Sequence, residues 1–458
     1  MKFPADFLWG SATSSYQIEG AATTDGRGKS IWDVFCETPG KVINADSGAV
    51  AIDHYNRYEQ DVDVMSSLGL QAYRFSIAWP RIMPNGTGKI EKRGLDFYDR
   101  LVDKLLEKGI MPLATLYHWD LPAELEDKGG WTNRDSASWF ADYAAVVHEA
   151  LQDRVKMWAT LNEPWVSAFL GYGIGIHAPG IKDPAKAFQA AHHLLLGHGK
   201  AIEVMRSQSS DSSLGIVLNM APVYLEGTAP AGHPAHEAIE LQDAILNKLW
   251  MNTLLKGQYP KTLINLGPVI TDSIHEGDLA EISRPIDWMG VNYYQDSRSV
   301  PDDSAGGGVM DSTGNGALPG SKGVKPAPLV GEVTDFGWST TPDGLRRLLV
   351  DMRDSYENLP PVYITENGAA YDDPIVDGKI NDTRRIKFIN EHLKAVHQAI
   401  EQGVDVRGYM HWSLFDNFEW AEGYRQRFGL VHVDFETQVR LPRESSWHYA
   451  RIISNNGF

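Results

Sequence analysis

The chain has 458 residues, 43% of them hydrophobic and 22% charged, which excludes a disordered or low-complexity protein. A formal net charge of −18, from 42 basic and 60 acidic residues, argues against nucleic acid and anionic membrane surfaces as partners. The lone cysteine, Cys36, excludes an intrachain disulfide, and no apolar run approaches the roughly 18 residues of a membrane span. The N-terminus, MKFPADFLWG, enters fold-like sequence without a signal-peptide run, so the expectation is a soluble cytoplasmic protein, monomeric or homo-oligomeric.

Apolar runs and helical patterns then alternate along the chain. FLWGSAT (7–13) reads as a strand and is followed by a helix near 55–68. AYRFSIAW (72–79) is the second strand. Leu95, Tyr98, Leu101, Val102, Leu105 and Leu106 then share one helix face before Gly109. MPLATLYHW (111–119), a helix at 136–152, VKMWATLNEP (155–164) and a helix at 184–205 come next. LGIVLNM (214–220), a helix at 235–255, IDWMGVNYY (286–294) and a helix at 342–352 continue the alternation. VYITENG (362–368) precedes a helix in which Ile386, Ile389, Leu393, Val396 and Ile400 repeat, with Asn381 or Asp382 as cap and Gly403 as stop. VRGYMHWSLFDN (406–417) and a helix at 443–453 close the series.

The strands are near-continuously apolar, as in a parallel sheet covered on both faces. Eight of them alternating with helices predict an α/β fold, a single-domain (β/α)8 barrel with long βα loops. A plain barrel needs about 250 residues, so much of this chain must lie in those loops. The least structured, 297–332, reads equally as a surface loop or as a substrate entrance.

Polar residues collect at the C-terminal strand ends, where barrel active sites lie. Gln17 and Glu19 follow strand one and Arg74 lies in strand two. His118 and Trp119 end strand three, and Asn162 and Glu163 end strand four. Asn292, Tyr293 and Tyr294 end strand six, Glu366 ends strand seven, and His411 and Trp412 end strand eight. A single terminal carboxylate reads as a cap or an ion-pair partner. Two of them, set among amides, His, Tyr and Trp without a metal motif, suit glycoside hydrolysis. Amides and carboxylates bind sugar hydroxyls, and Trp faces stack on sugar C–H faces. One carboxyl would protonate the leaving oxygen, while the other attacks the anomeric carbon or activates water. Neighbours such as Tyr294 and Arg74 would keep one of them ionised.

Competing motifs fail. HEALQ (148–152) lacks the second His of a zinc helix, and GHGKA (197–201) lacks the leading Gly and the Ser/Thr of a phosphate loop. GYGIGI (171–176) lacks the last Gly of a dinucleotide fingerprint, and no G-x-S-x-G elbow occurs. His192, His193 and His198 read as packing or surface residues of a helix.

FPADFLWGSATSSYQIEGA, SIWDVF, YRFSIAWPRIMP, LYHWDLP, TLNEPW, GVNYY, YITENGA and HWSLFDNFEWAEGYRQRFGLVHVDF occur in this order over nearly the whole chain. Together they resemble the family 1 glycoside hydrolases, the β-glucosidase family. The resemblance implies a retaining β-glycosidase with a small β-glucoside as substrate and no metal or organic cofactor. It implies Glu163 as acid/base and Glu366 as nucleophile, with Tyr294 and Arg74 orienting the nucleophile and Asn292 in support. Gln17, His118, Asn162, Glu419 and Trp420 match its sugar-binding set, Trp412 its stacking floor, and Trp119 lines the same pocket. Trp338 matches an aglycone platform and reads equally as core. Glu419 and Glu422 speak against a 6-phospho-β-glucosidase, because two carboxylates repel a phosphate. Glu163 speaks against a thioglucosidase, and both glutamates together speak against a non-catalytic sugar-binding barrel.

Overall fold

The computed structural model describes residues 1–303 and 322–458. Its centre is a closed barrel of parallel strands: β1 (Leu8–Ala12), β2 (Ala72–Ser76), β3 (Met111–Tyr117), β4 (Met157–Asn162), β5 (Ser213–Asn219), β6 (Trp288–Asn292), β7 (Val362–Asn367) and β8 (Val406–Trp412). Neighbours in sequence are neighbours in space, and β1 pairs with both β2 and β8, so the ring has no free edge. Each strand falls on an expected run, but most stop short of its polar end. In β3 the ladder ends at Tyr117, which leaves His118 and Trp119 to the following loop.

Helices cover the outside: α1 (His54–Ser67), α2 (Lys92–Glu107), α3 (Ser136–Leu151), α4 (Pro184–Gln208), α5 (Pro234–Asp243), α6 (Pro342–Ser355), α7 (Thr383–Glu401) and α8 (Glu444–Asn455). Every expected helix is present. The long one at 235–255 is interrupted, because a wider turn (Ala244–Lys248) separates α5 from the helix Leu249–Lys256. The cap of α7 also departs from expectation. Asp382 stands at the N-cap position but does not accept from the helix N–H groups. Its carboxylate accepts from Ser445 N and Oγ and from Arg385 Nε, which ties α7 to α8.

Twelve of the 14 tryptophans divide between two jobs. Trp9, Trp32, Trp79, Trp131, Trp158, Trp250 and Trp288 are fully buried, whereas Trp119, Trp165, Trp338, Trp412 and Trp420 wall a cleft. The α4 histidines do pack inside. His192 pairs with Tyr259 and Asp278, His193 with the Trp131 carbonyl and His198 with Thr160.

The loop at 297–332 begins as a strand. Ser297–Pro301 pairs with Val223–Leu225 and with Val324–Pro326 in a small side sheet. Its middle, 304–321, lies outside the described residues. Among the described residues no helix is long and apolar enough to cross a membrane, and no three His, Cys, Asp or Glu side chains cluster to hold a metal ion.

Candidate active site

A cleft of ≈ 960 Å³ opens at the C-terminal ends of the strands. Glu163 and Glu366 both line it, Glu163 directly after β4 and Glu366 on β7, with β5 and β6 between them. Glu366 sits opposite Asn292 in the β6–β7 register. Gly368 sets the exit of β7: a Cβ there would lie 1.6 Å from the Trp412 carbonyl oxygen, so only glycine lets the two loops approach this closely.

The two carboxylates differ in their partners. Glu366 Oε1 accepts from Arg74 Nη1 at 2.7 Å, and Oε2 accepts from the Tyr294 hydroxyl at 2.7 Å. Glu163 Oε1 accepts from Asn292 Nδ2 at 2.7 Å, and among the described residues no cation is in contact with Glu163. One network holds both. Arg74 Nη2 also donates to Asn162 Oδ1 at 2.5 Å, Asn292 Nδ2 reaches the same oxygen at 3.1 Å, and Thr365 Oγ1 fixes Asn292 Oδ1 at 2.7 Å. Arg74 is 0% exposed, Glu366 3% and Glu163 5%, so these bonds work in a nearly dry setting.

Protonation follows from that asymmetry. Burial and then the Glu366 charge push Glu163 well above the usual carboxylate range, against the Asn292 bond. Burial also raises Glu366, but the Arg74 charge and the Tyr294 and Arg74 hydrogen bonds hold it down. The shared proton therefore rests on Glu163, and Glu366 carries the charge.

The wall is aromatic and polar. His118 lies parallel to Trp412 and to Trp420, with ring centroids 5.8 and 5.9 Å away, and Trp119 packs on Trp420 at 4.6 Å. Burial and the Arg74 charge keep His118 neutral. Its Nε2 accepts from Asn162 Nδ2 at 3.0 Å, so Nδ1–H is a donor, with no protein partner among the described residues. Burial and then Glu366 raise Glu419 to about 8, against a bond from Gln17. Gln17 and Asn162 are themselves fully buried, directly behind wall residues that they hold: Gln17 Nε2 donates to Phe418 O and to Glu419, and Asn162 holds His118. Trp338 both faces the cleft and packs on the buried cluster that includes Trp412 and Phe428. It lines the wall, stacks on Phe336 at 4.1 Å and touches Tyr294 at 5.3 Å.

Three of these residues, Trp119, Glu163 and Trp420, have left-handed backbone, with φ of 78°, 45° and 51°. That conformation is strained for side chains of this kind and turns each one out of its strand or loop into the cleft.

Besides Arg74, Gln17 and Asn162, which stand behind the wall, three residues that the sequence grouped with the strand ends are not in it, Tyr293 among them: it is fully buried and its hydroxyl donates to Asp296 at 2.6 Å. Glu19 pairs with Arg81 at 3.0 Å and Tyr98 at 2.5 Å, and His411 is buried beside Tyr409 and Tyr449. The sequence also left wall residues unassigned: Trp165, His177, Asn219, Phe336 and Phe428. Trp165 stands two positions after Glu163 and could have been found there. The others carry no local signal.

Two inward carboxylates in an aromatic, amide-backed cleft at the mouth of a (β/α)8 barrel are the build of a glycosidase. The sequence profile of "Glycosyl hydrolase family 1" matches residues 1–458. Over 461 residues the chain is 46% identical to "Beta-glucosidase A" of Acetivibrio thermocellus, covering 100% of this chain and 99% of that protein. It is 44% identical to the "Bifunctional beta-D-glucosidase/beta-D-fucosidase" of Bifidobacterium breve, covering 100% and 99%. The solved β-glucosidase of Thermotoga maritima in complex with glucoimidazole superposes with a TM-score of 0.91 at 43% identity, covering 100% of both chains. The chain belongs to glycosyl hydrolase family 1, and by these full-length likenesses it is a glycoside hydrolase of the β-glucosidase type.

Proposed function

We propose that the chain, acting as one catalytic domain, releases terminal non-reducing β-D-glucosyl residues by double displacement with retention. Its substrates are cellobiose, short cello-oligosaccharides and aryl or alkyl β-glucosides. β-Galactosides and β-fucosides are side substrates, and a sugar hydroxyl can replace water in transglycosylation. The observation that carries this reading is the unequal bonding of the two glutamates.

Glu366, held ionised by Arg74 and Tyr294, attacks the anomeric carbon. As the glycosidic bond breaks, Glu163 delivers its proton to the departing oxygen. With the aglycone gone, Glu163 is a carboxylate and takes a proton from the incoming water, whose oxygen displaces Glu366. His118 Nδ1–H, Glu419 and the Trp412 and Trp420 faces receive the glucosyl ring, while Gln17 and Asn162 hold that set from behind. Asn292 steadies Glu163. Trp119 closes the sugar side of the cleft and Trp338 its aglycone side.

Glu366→Ala should abolish hydrolysis of nitrophenyl β-glucoside, and azide should restore turnover while yielding the α-glucosyl azide. Proton NMR of the native reaction should show β-glucose first. A first-formed α-anomer, or a Glu366→Ala chain that still hydrolyses the substrate unaided, would overturn the assignment.

A further inference from the structure

Beyond the sugar site, the charges along the cleft do not balance among the described residues. Glu366 is matched by Arg74, and Glu163 and Glu419 hold protons. Of the remaining charged wall residues, Asp296 pairs with Arg347, Arg298 with Glu226 and Glu422 with Arg425. Lys41 and Lys182 also line the wall, and among the described residues neither has a carboxylate within ion-pair range. The acid next to Lys182 in sequence, Asp183, is engaged at the start of α4, accepting from the Ala185 and Lys186 N–H groups.

The two lysines share one lip. A Cβ on Gly180 would stand 3.3 Å from Lys41 Nζ, and a Cβ on Gly175 would stand 2.7 Å from Lys182 Cγ and 2.9 Å from the Gly180 oxygen. The lip is joined to the sugar site by a chain of rings. Trp420 packs on Trp119 and on Trp32, each at 4.6 Å. Trp119 meets His177 at 5.6 Å, Trp32 meets Phe35 at 5.2 Å, and Lys41 Nζ lies 5.3 Å from the Phe35 ring. In a molecule of net charge −18, this lip is a local positive field on the rim of the same cleft.

We propose that the Lys41–Lys182 lip selects β-glucosides whose aglycone carries a carboxylate, a glucosyl aldonate among them. The inference rests on the hydrolase reading above and names the aglycone class of the same cleft. The sugar reacts as before; the lysines act on the leaving half through charge alone.

Cellobionate and cellobiitol test this, since they share an open-chain aglycone and differ in its charge. At low ionic strength the native chain should show kcat/KM for cellobionate roughly five- to tenfold above that for cellobiitol. The ratio should fall toward one in NaCl on the order of 0.5 M and in the Lys41→Gln/Lys182→Gln chain. A native ratio near one at low salt, or the same ratio in the double variant, would overturn the proposal. Calorimetric binding of both disaccharides to the Glu163→Gln chain reads the ratio without turnover. A chain inert on every glucoside would therefore refute the hydrolase reading, while the binding ratio still decides the lip.

Discussion

At the residue scale, Glu163 and Glu366 show how neighbours divide one chemistry between two like groups. The same side chain sits twice in nearly dry surroundings; an arginine and a tyrosine make one the anion, and their absence leaves the other protonated. The pH dependence follows. On the proposed mechanism, activity needs Glu366 ionised and should fall on the acid side. It also needs Glu163 protonated and should fall as pH rises through the raised pKa of Glu163. In Glu163→Gln the alkaline limb of kcat/KM should disappear for dinitrophenyl β-glucoside. Alkyl β-glucosides, whose departing oxygen needs a proton, should lose about 10²- to 10⁴-fold. An alkaline limb that persists in the variant would remove Glu163 from the acid role. Both glutamates were legible in the sequence, because a carboxylate closing an apolar run is conspicuous and two of them narrow the chemistry. The places of Gln17 and Asn162 behind the wall were not, since facing a sugar and facing a sugar-binding neighbour call for the same amide.

At the element scale, the strands were legible because a parallel stave is covered on both faces and reads as an unbroken apolar run. The break after α5 and the side sheet of Ser297–Pro301 were not, because each depends on a partner distant in the chain. The loop after β8 gives the clearest energetic case. Asp416 is fully buried and bonded bidentately by Arg443 at 3.0 and 2.8 Å, with Arg427 at 3.2 Å, His432 at 3.3 Å and the Gly429 N–H at 2.9 Å. The Arg443 charge and these hydrogen bonds outweigh burial and hold its carboxyl far below the usual range. Asp416→Asn leaves Arg443 buried beside a neutral amide and should cost about 3–5 kcal/mol at pH 7, measured by denaturant unfolding. The folded pKa is depressed, so this stabilisation is complete above the unfolded carboxyl pKa of about 4 and is lost as pH falls below it. Native and variant should converge in acid. A constant gap between pH 7 and pH 3 would show that charge is not the cause.

At the scale of the whole molecule, closure of the barrel does what no segment can. It brings Arg74 of β2, Asn162 of β4, Asn292 of β6 and Glu366 of β7 into one hydrogen-bonded network. Alternating strands and helices announced that closure in the sequence. The balance of charge along the cleft was not announced, because it depends on which lysines find a carboxylate once the chain is folded. The left-handed backbone at Trp119, Glu163 and Trp420 was equally hidden, since nothing in a lone residue letter reports its φ.

Of those three backbone angles, the one at Glu163 sets stability against the proposed chemistry. Glycine adopts positive φ without strain, so Glu163→Gly should unfold later than Glu163→Ala, by about 1 kcal/mol, reversing the order expected where φ is negative. Paired melting curves of the two inactive chains would settle it, and a lower melting temperature for the glycine chain would refute it. At Trp119 and Trp420 the lost ring packing outweighs that relief, so a search for hardier descendants by melting temperature alone would favour glycine over alanine at position 163 only, at the expense of the proposed acid.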